Sequence, residues 1–385
     1  MEEQQTGQKS WYDKSHKLML IVPLLVLVIL VGYLAHFYSA NGDIFYKDVS
    51  LTGGTTYTVF DANADINKLG TELKQKFPDV QIKGISDIRT GAQKGFFIET
   101  KAGVSELKLA IESYLNYNLT QENSSVEFSG ASLSQGFYKQ LIGSIIAAFL
   151  LMALVVFIIF SESKKAKAIS TILTFLGIGI VLPNVPAIRT LSMIGIITGL
   201  GYGLITKPKS GFEYYSVIAA GIISLLLFLF YHTFAIIYLI GLVLIALCIT
   251  YSIPSFIVIL CAFSDMVMTV AVVDLLGINL SIAGVIAFLM LIGYSVDTDI
   301  LLTTRLLRKR EETRNARIFG AFKTGITMTL TTIAAIGISL FMVYNYSDTL
   351  KQIFTILLIG LGFDIMNTWI TNASILKWYA EVKKL

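Results

Sequence analysis

Apolar residues fall into two arrangements along this chain of 385 residues. Unbroken apolar runs occupy residues 18–38 and most of the chain beyond residue 139, and the stretch between them mixes polar and apolar positions at regular spacing. The first run, LMLIVPLLVLVILVGYLAHFY (Leu18–Tyr38), follows a short segment carrying Lys9, Lys14, His16 and Lys17. At about 20 residues it is long enough to cross a bilayer. A secretory signal has a shorter apolar stretch and small residues before its cleavage point. Bulky Tyr38 stands where a small residue is needed, so the run is read as an uncleaved anchor.

Between residues 41 and 136 the periodicity changes. Alternation marks strands in TTYTVF (Thr55–Phe60), VQIKGISDIRT (Val80–Thr90), GFFIET (Gly95–Thr100) and SSVEFSG (Ser124–Gly130). Apolar residues three and four apart mark helices in DINKLGTELKQKF (Asp65–Phe77) and GVSELKLAIESYLNY (Gly103–Tyr117). The order β-α-β-β-α-β predicts a split ferredoxin-like α+β domain. At its entrance stands LTGGTTYTV, with Thr52, Gly53, Gly54 and Thr55. Two adjacent glycines suit a tight turn there, because glycine tolerates positive φ and close backbone approach.

Further spans are predicted near 139–160, 168–185, 190–206, 215–232, 234–252, 255–276, 281–303, 318–343 and 350–376. With the anchor they number about ten, each close to the length a bilayer demands. Composition agrees, since 55% of residues are hydrophobic and 15% charged, against about 25% charged in a soluble domain. Basic residues gather at alternate turns: Lys164, Lys165 and Lys167, then Lys207 and Lys209, then Arg305, Arg308, Lys309, Arg310, Arg314 and Arg317. Lys377, Lys383 and Lys384 close the chain, whereas turns of opposite parity hold only Arg189 and His232. The positive-inside rule then makes residues 1–17 and 377–385 cytoplasmic and puts the 41–136 domain outside a multi-pass protein of the cell membrane. Sequons at Asn118, Asn123 and Asn345 fall outside as well.

No Gly-rich phosphate loop follows a strand, and Cys248 and Cys261 both sit in apolar runs. No nucleotide or metal cofactor is expected from such a sequence. The basic turn Arg305–Arg317 reads as a topology determinant facing membrane lipids, not as a nucleic-acid site.

Acids inside apolar spans are costly, about 2.5–3.5 kcal/mol at a helix centre on insertion scales, and they mark functional sites. Asp265, Asp297, Asp299 and Asp364 lie well within spans, and Asp274 lies near an outer end, where a solvated acid is expected. Lys323 is about one and a half turns inside its span, and it either snorkels to the surface or reaches toward Asp297. The acids either make static contacts with hydroxyls such as Thr327, Thr329, Thr331 and Thr332, or they form a proton or ion pathway. Asp297 and Asp299 are about 200° apart on a helix, so only one of them faces the bundle. Asp297 is taken as that one, with Ile300 and Thr304 continuing its face.

The stretch GYSVDTDILLTTRLLRKR, from Gly293, Tyr294 and Ser295 onward, together with LTGGTTYTV resembles the SecF family of protein-export membrane subunits in its archaeal form. AFKTGITMTLTTIAA (Ala321–Ala335) and LLIGLGFDIMNTWITNASILKWY (Leu357–Tyr379) extend the resemblance, which covers roughly 10–160 and 253–385. It implies an RND-like six-span core with one outer domain. It also implies a SecD-like subunit, the Sec translocon and a secreted polypeptide as partners, with the proton-motive force as driver. The bacterial pattern G-Y-S-x-N-D-T puts its aspartate on Thr298 here, and Asp297 matches the SecD-type G-x-x-x-D pattern instead. The bacterial arginine of the next span falls near Thr324, which makes Lys323 a shifted substitute. Residues 162–252 have no place in that plan and read as about four extra spans between core span two (139–160) and the core spans of 253–376.

Two other classes compete with an export role. An RND-class proton-coupled small-solute transporter shares the intramembrane acids, but usually carries two repeats with large outer domains. An intramembrane aspartyl protease needs Y-D and G-x-G-D contexts, and GLGFD (Gly360–Asp364) with FSD (Phe263–Asp265) departs from both. The export reading is therefore taken, with no enzymatic activity.

Overall fold

The computed structural model describes residues 17–87, 90–182, 186–205, 234–308, 313–344 and 347–383. The expected span at 215–232, the Lys207–Lys209 turn, Lys309, Arg310, the Asn345 sequon and nearly all of the N-terminal segment lie outside the described residues.

Helix α1 (Ile21–Asn41) is the anchor, ended by Gly42 at φ 73°, whose N–H donates to the Tyr38 carbonyl. A short helix α2 (Val49–Thr52) leads into β1 (Gly54–Val59), α3 (Ile66–Lys76), β2 (Gln81–Ser86), β3 (Gln93–Thr100), α4 (Val104–Leu115) and β4 (Ser124–Ser129). Asp65 caps α3 by accepting from the Asn67 and Lys68 amides, and Asn116 ends α4 in the left-handed region at φ 58°. The four strands form one antiparallel sheet in the order β2-β3-β1-β4. Alternation sorts its two faces. Tyr57, Val59, Phe96 and Ile98 point to one side and pack on Leu69, Leu73, Leu107 and Ile111 of the two helices. Thr56, Thr58, Phe97 and Glu99 point to the other side, which no helix of this domain covers and which turns toward the membrane bundle.

The chain is pinned where it enters this domain. The Asp48 amide donates to the Leu280 carbonyl at 3.0 Å, and the Leu280 amide donates to the Tyr46 carbonyl at 2.7 Å. Phe45 and Leu51 are buried among Val273, Val285 and Phe288 of the bundle. Gly53 and Gly54 follow at φ 87° and 153°. A Cβ on Gly53 would lie 2.4 Å from the Ala131 Cα, and one on Gly54 would lie 2.4 Å from the Thr100 carbonyl oxygen. The segments that enter and leave the domain thus cross at contact distance. Thr52 and Thr55 brace the crossing through hydroxyl bonds to the carbonyls of Asp48 and Ala102.

The remaining helices are α5 (Ala131–Phe160), α6 (Lys164–Val181), α7 (Pro186–Ile205), α8 (Phe234–Tyr251), α9 (Ile253–Leu275), α10 (Ile282–Arg308), α11 (Arg314–Val343) and α12 (Asp348–Met366). After α12 the backbone runs through a π-helical turn (Asn367–Asn372) into α13 (Ala373–Val382). Among the described residues six segments are long and apolar enough to cross a membrane: α1, α5, α9, α10, α11 and the continuous α12–α13 rod. Helices α6, α7 and α8 gather around Ile172, Leu176, Ile196 and Ile240, against Ala147 and Leu150 of α5. Asp274, expected to be solvated, is 2% exposed. It accepts from the Tyr46 amide at 3.2 Å and faces the Tyr33 hydroxyl at 3.4 Å, tying α1 and the entry segment to α9.

Between the open face of the sheet and the bundle lies a polar cavity of about 250 Å³ lined by Asp48, Gln81, Lys83, Glu99, Asn279 and Asp348, among others. Lys83 Nζ meets the Asp348 carboxylate at 2.9 Å. Burial alone would lower the pKa of Lys83, but the bond to Asp348 and the charges of Asp348, Glu99 and Asp48 carry it above its usual value. Glu99 is pushed from 4.5 up to about 7 by burial and by the Asp48 charge, against the pull of Lys83. Between those pH values the docked form holds a proton that the undocked form has released. Docking is therefore strongest below the solvated value and weakens as pH rises through about 7. The protection of the β3 amides, taken as exchange relative to the intrinsic base-catalysed rate, should fall as pH rises across that range in the native chain. Glu99→Gln should show little such change in protection.

Candidate functional site

Helix α10 presents Ser295, Thr298, Asp299, Leu302 and Leu306 to the interior, and all of them are buried. This three-and-four spacing is one helical face. Helix α9 brings Asp265 and Cys261 to the same place, and the α12–α13 rod brings Asp364, Asn367, Thr368 and Asn372. Three carboxylates from three helices, Asp265, Asp299 and Asp364, are each 0% exposed.

Their hydrogen-bond partners are hydroxyls and carboxamides. Asp265 accepts from Ser295 Oγ at 2.5 Å and from Asn367 Nδ2 at 2.6 Å. Asp364 accepts from Thr298 Oγ1 at 3.0 Å and from Thr368 Oγ1 at 3.1 Å. Asp299 Oδ1 lies 2.9 Å from the Thr368 hydroxyl, and Asn372 Nδ2 donates to it at 2.6 Å. Thr368 therefore stands between two of the acids. Removing charge from water without a counter-charge is expensive. Acidic side chains held this way, on helices that can move against one another, are suited to taking up and releasing protons. Each acid has at least one donor that it does not share, and Thr368 stands between Asp299 and Asp364, unlike the paired carboxylates of an aspartyl protease, which share one proton directly. No group of acids, histidines and cysteines fit to hold a metal ion occurs among the described residues.

The structure brings together Asp265, Asp299 and Asp364 and leaves out Asp297 and Lys323. Asp297 lies on the exposed side of α10 with Gly293 and Tyr294, and Lys323 lies on the exposed side of α11. The expectation that Asp297 faces the bundle is thus corrected. Five of the residues that surround Asp299 on its face, Ser295, Val296, Thr298, Leu302 and Thr303, are buried, whereas Ile300 and Thr304 are only half-buried. The two acids lie on opposite sides of α10, and Asp299 is the one that faces the bundle. Ser295, singled out only as part of a motif, is a ligand of Asp265.

Sequence reasoning missed Asn367, Thr368 and Asn372, and placed Thr298 only as the position where the bacterial aspartate falls. Their signal was present, because Asp364, Asn367, Thr368, Thr371 and Asn372 recur at three and four within an otherwise apolar span. Trp369 packs its ring edge-on to Phe322 at 5.2 Å between centroids. A Cβ on Gly325 would come within 2.4 Å of the same indole. Helix α11 thus rests directly on the π turn that carries the site.

Comparison with known proteins gives a consistent result. Residues 226–382 match the family "Protein export membrane protein SecD/SecF, C-terminal". The chain is 50% identical over 131 residues to the protein-export membrane protein SecF of Methanolacinia petrolearia, covering 34% of this chain and 46% of that protein. It is 50% identical over 135 residues to SecF of Methanothermobacter thermautotrophicus, covering 34% and 47%. The aligned part spans about half the length of these curated relatives. The crystal structure of SecDF from Thermus thermophilus, a translocon-associated membrane protein, superposes with a TM-score of 0.51 at 14% identity, over 97% of this chain and 39% of that one. The two share a fold. Residues 226–382 are thus similar to the SecD/SecF family of protein export membrane proteins, a similarity that covers less than half of the chain.

Proposed function

We propose that this chain is the SecF-type subunit of a SecD/SecF complex that assists Sec-dependent export and draws on the proton-motive force through Asp265, Asp299 and Asp364. The observation that carries the reading is the convergence of three buried carboxylates, from α9, α10 and α12, on hydroxyl and carboxamide donors. In this reading α1, α5 and α9 to α13 form an RND-like six-span core, and the sheet domain is extracytoplasmic and ferredoxin-like. Both termini are cytoplasmic in this reading, which the placement of the basic turns supports. Helices α6 to α8 belong to an inserted membrane region peripheral to the acids. The secreted polypeptide meets the outer domain, and the Sec translocon lies alongside. Vesicles containing the translocon and a SecD-like subunit should show gradient-stimulated export only when this chain is present. Equal stimulation without it would defeat the proposal.

Asp297 is exposed on α10, and Lys323, Thr324, Thr327 and Thr331 make an exposed polar stripe along α11. Charges facing lipid are costly, so Asp297 and this stripe are assigned to the interface with the SecD-like subunit. Asp297→Leu and Lys323→Leu are expected to reduce recovery of that subunit on co-purification in mild detergent. Unchanged recovery with both variants would remove Asp297 and the stripe from the interface.

A further inference from the structure

The π turn has a specific consequence for Asp299. In a regular α-helix, residues five apart point about 140° away from each other. An i→i+5 turn brings them nearly over one another, and such turns concentrate at functional sites. Asn367 and Asn372 are five apart, both are buried, and both donate inward at 2.6 Å, one to Asp265 and the other to Asp299. Both side chains are carried on this turn, so one rod serves both acids.

Two oxygens at this point are left over. Asp299 Oδ2 and Asn372 Oδ1 are buried and have no hydrogen-bond partner. Both are acceptors when the acid is ionised, so neither can serve the other. Their sister atoms are already joined, Asn372 Nδ2 to Asp299 Oδ1. A carboxylic acid and a carboxamide are complementary when the acid carries its proton. The amide N–H then donates to one carboxyl oxygen, and the acid O–H donates back to the amide oxygen. A single proton removes both orphans, which would otherwise each cost on the order of 1–3 kcal/mol.

We infer that the proton carried by this site resides on Oδ2 of Asp299, donating to Oδ1 of Asn372, and that Asn372 is a positioning residue presented by the π turn. The inference rests on the proton-coupled reading above. On uptake an O–H bond forms at Oδ2 with a proton taken from hydronium. On release that bond breaks, the proton passes to water, and two unpaired acceptors again face each other. Loss of the return bond leaves Asn372 Oδ1 unpaired while its amide still donates to Asp299 Oδ1, and this biases the π turn, with Trp369 and α11 resting on it, toward another arrangement. The groups that bear on Asp299 are Asp265 and Cys261 from α9 and Asp364 from α12. Arg317 of α11 donates to the Leu306 carbonyl at 2.5 Å, about two turns farther along α10. Buried Lys377 lies beyond Asn372 on α13.

The test uses the full chain with its SecD-like subunit in vesicles, comparing native protein with Asn372→Leu, Asn372→Ser and Asp299→Asn. Two quantities are read: the pH profile of gradient-driven export, and the infrared carbonyl stretch of the protonated carboxyl that Asp299→Asn deletes. Asn372→Leu and Asn372→Ser should each move that band to the higher frequency of a carboxyl without a hydrogen-bonded partner. Each should also displace the pH midpoint by about one unit or more, as loss of one charge-coupled hydrogen bond implies. If Asp299→Asn removes gradient-driven export while both Asn372 variants keep the native band and midpoint, the role of Asn372 is overturned and the proton reading stands. If Asp299→Asn itself exports normally, the proton reading falls, and this inference falls with it. The two Asn372 variants differ in size and polarity, so a folding defect in one leaves the other to decide.

Discussion

Asp299→Asn is expected to reduce export in energised vesicles to the level seen without a gradient, while the SecD-like subunit still co-purifies with the chain. Asparagine matches aspartate in shape and keeps an acceptor for Asn372 and Thr368, so packing at this fully buried position is preserved. What it lacks is a proton that can be gained and lost. Asp297→Asn should behave in the opposite way, with the gradient response retained and association with the partner loosened, because Asp297 lies on the exposed side of α10. The two acids are separated by one residue and by opposite faces of one helix, so the pair of variants is its own control. Equal loss of gradient response in both would point to damage of α10 as a whole. It would remove the argument for a special role of the buried face.

The second large effect is expected at the crossing below the outer domain. Gly54→Val should prevent stable docking of the sheet domain, and Gly53→Val should do nearly as much. Both positions combine a positive φ with a Cβ placed 2.4 Å from backbone atoms, the Thr100 carbonyl oxygen in one case and the Ala131 Cα in the other. Backbone strain alone costs on the order of 1–3 kcal/mol at each site for a β-branched residue, and the overlap adds to it because backbone cannot step aside cheaply. Gly130→Val is the control: Gly130 lies at φ −67° with no neighbour in the space a Cβ would fill. Limited proteolysis of membranes should release the sheet domain readily from the Gly54→Val protein and slowly from the native and Gly130→Val proteins. Native-like resistance in Gly54→Val would refute the crossing as a structural requirement.

Much of this architecture is legible in the residues themselves. Alternation located all four strands of the outer sheet to within a few residues, because a sheet covered on one face sorts its side chains with period two. Bilayer length located most of the long helices for a comparable reason, since a hydrocarbon layer sets one scale for every span. The acids were found by type, because a carboxylate in an apolar run has no ordinary explanation. What periodicity could not supply was which side of α10 faces inward. Asp297 and Asp299 stand in equally polar surroundings along the sequence, and only packing against Asp265 and Asp364 separates them. The π turn was invisible for a related reason: its extra residue per turn leaves no mark in NTWITN, where the polar spacing fits an ordinary helix as well. Asp274 misled because nearness to a span end suggested water, whereas Tyr33 and Tyr46 cover it.

The claim at the centre is that protons cross through the Asp265, Asp299 and Asp364 cluster as polypeptide moves outward. Its most direct test is proton entry itself, followed with a pH-sensitive dye trapped in vesicles that contain this chain, a SecD-like subunit and the translocon. The account predicts proton flux that begins when an exporting polypeptide is supplied and is lost in Asp299→Asn, with Asp297→Asn retaining it. Flux of native size in the Asp299→Asn protein would contradict the account.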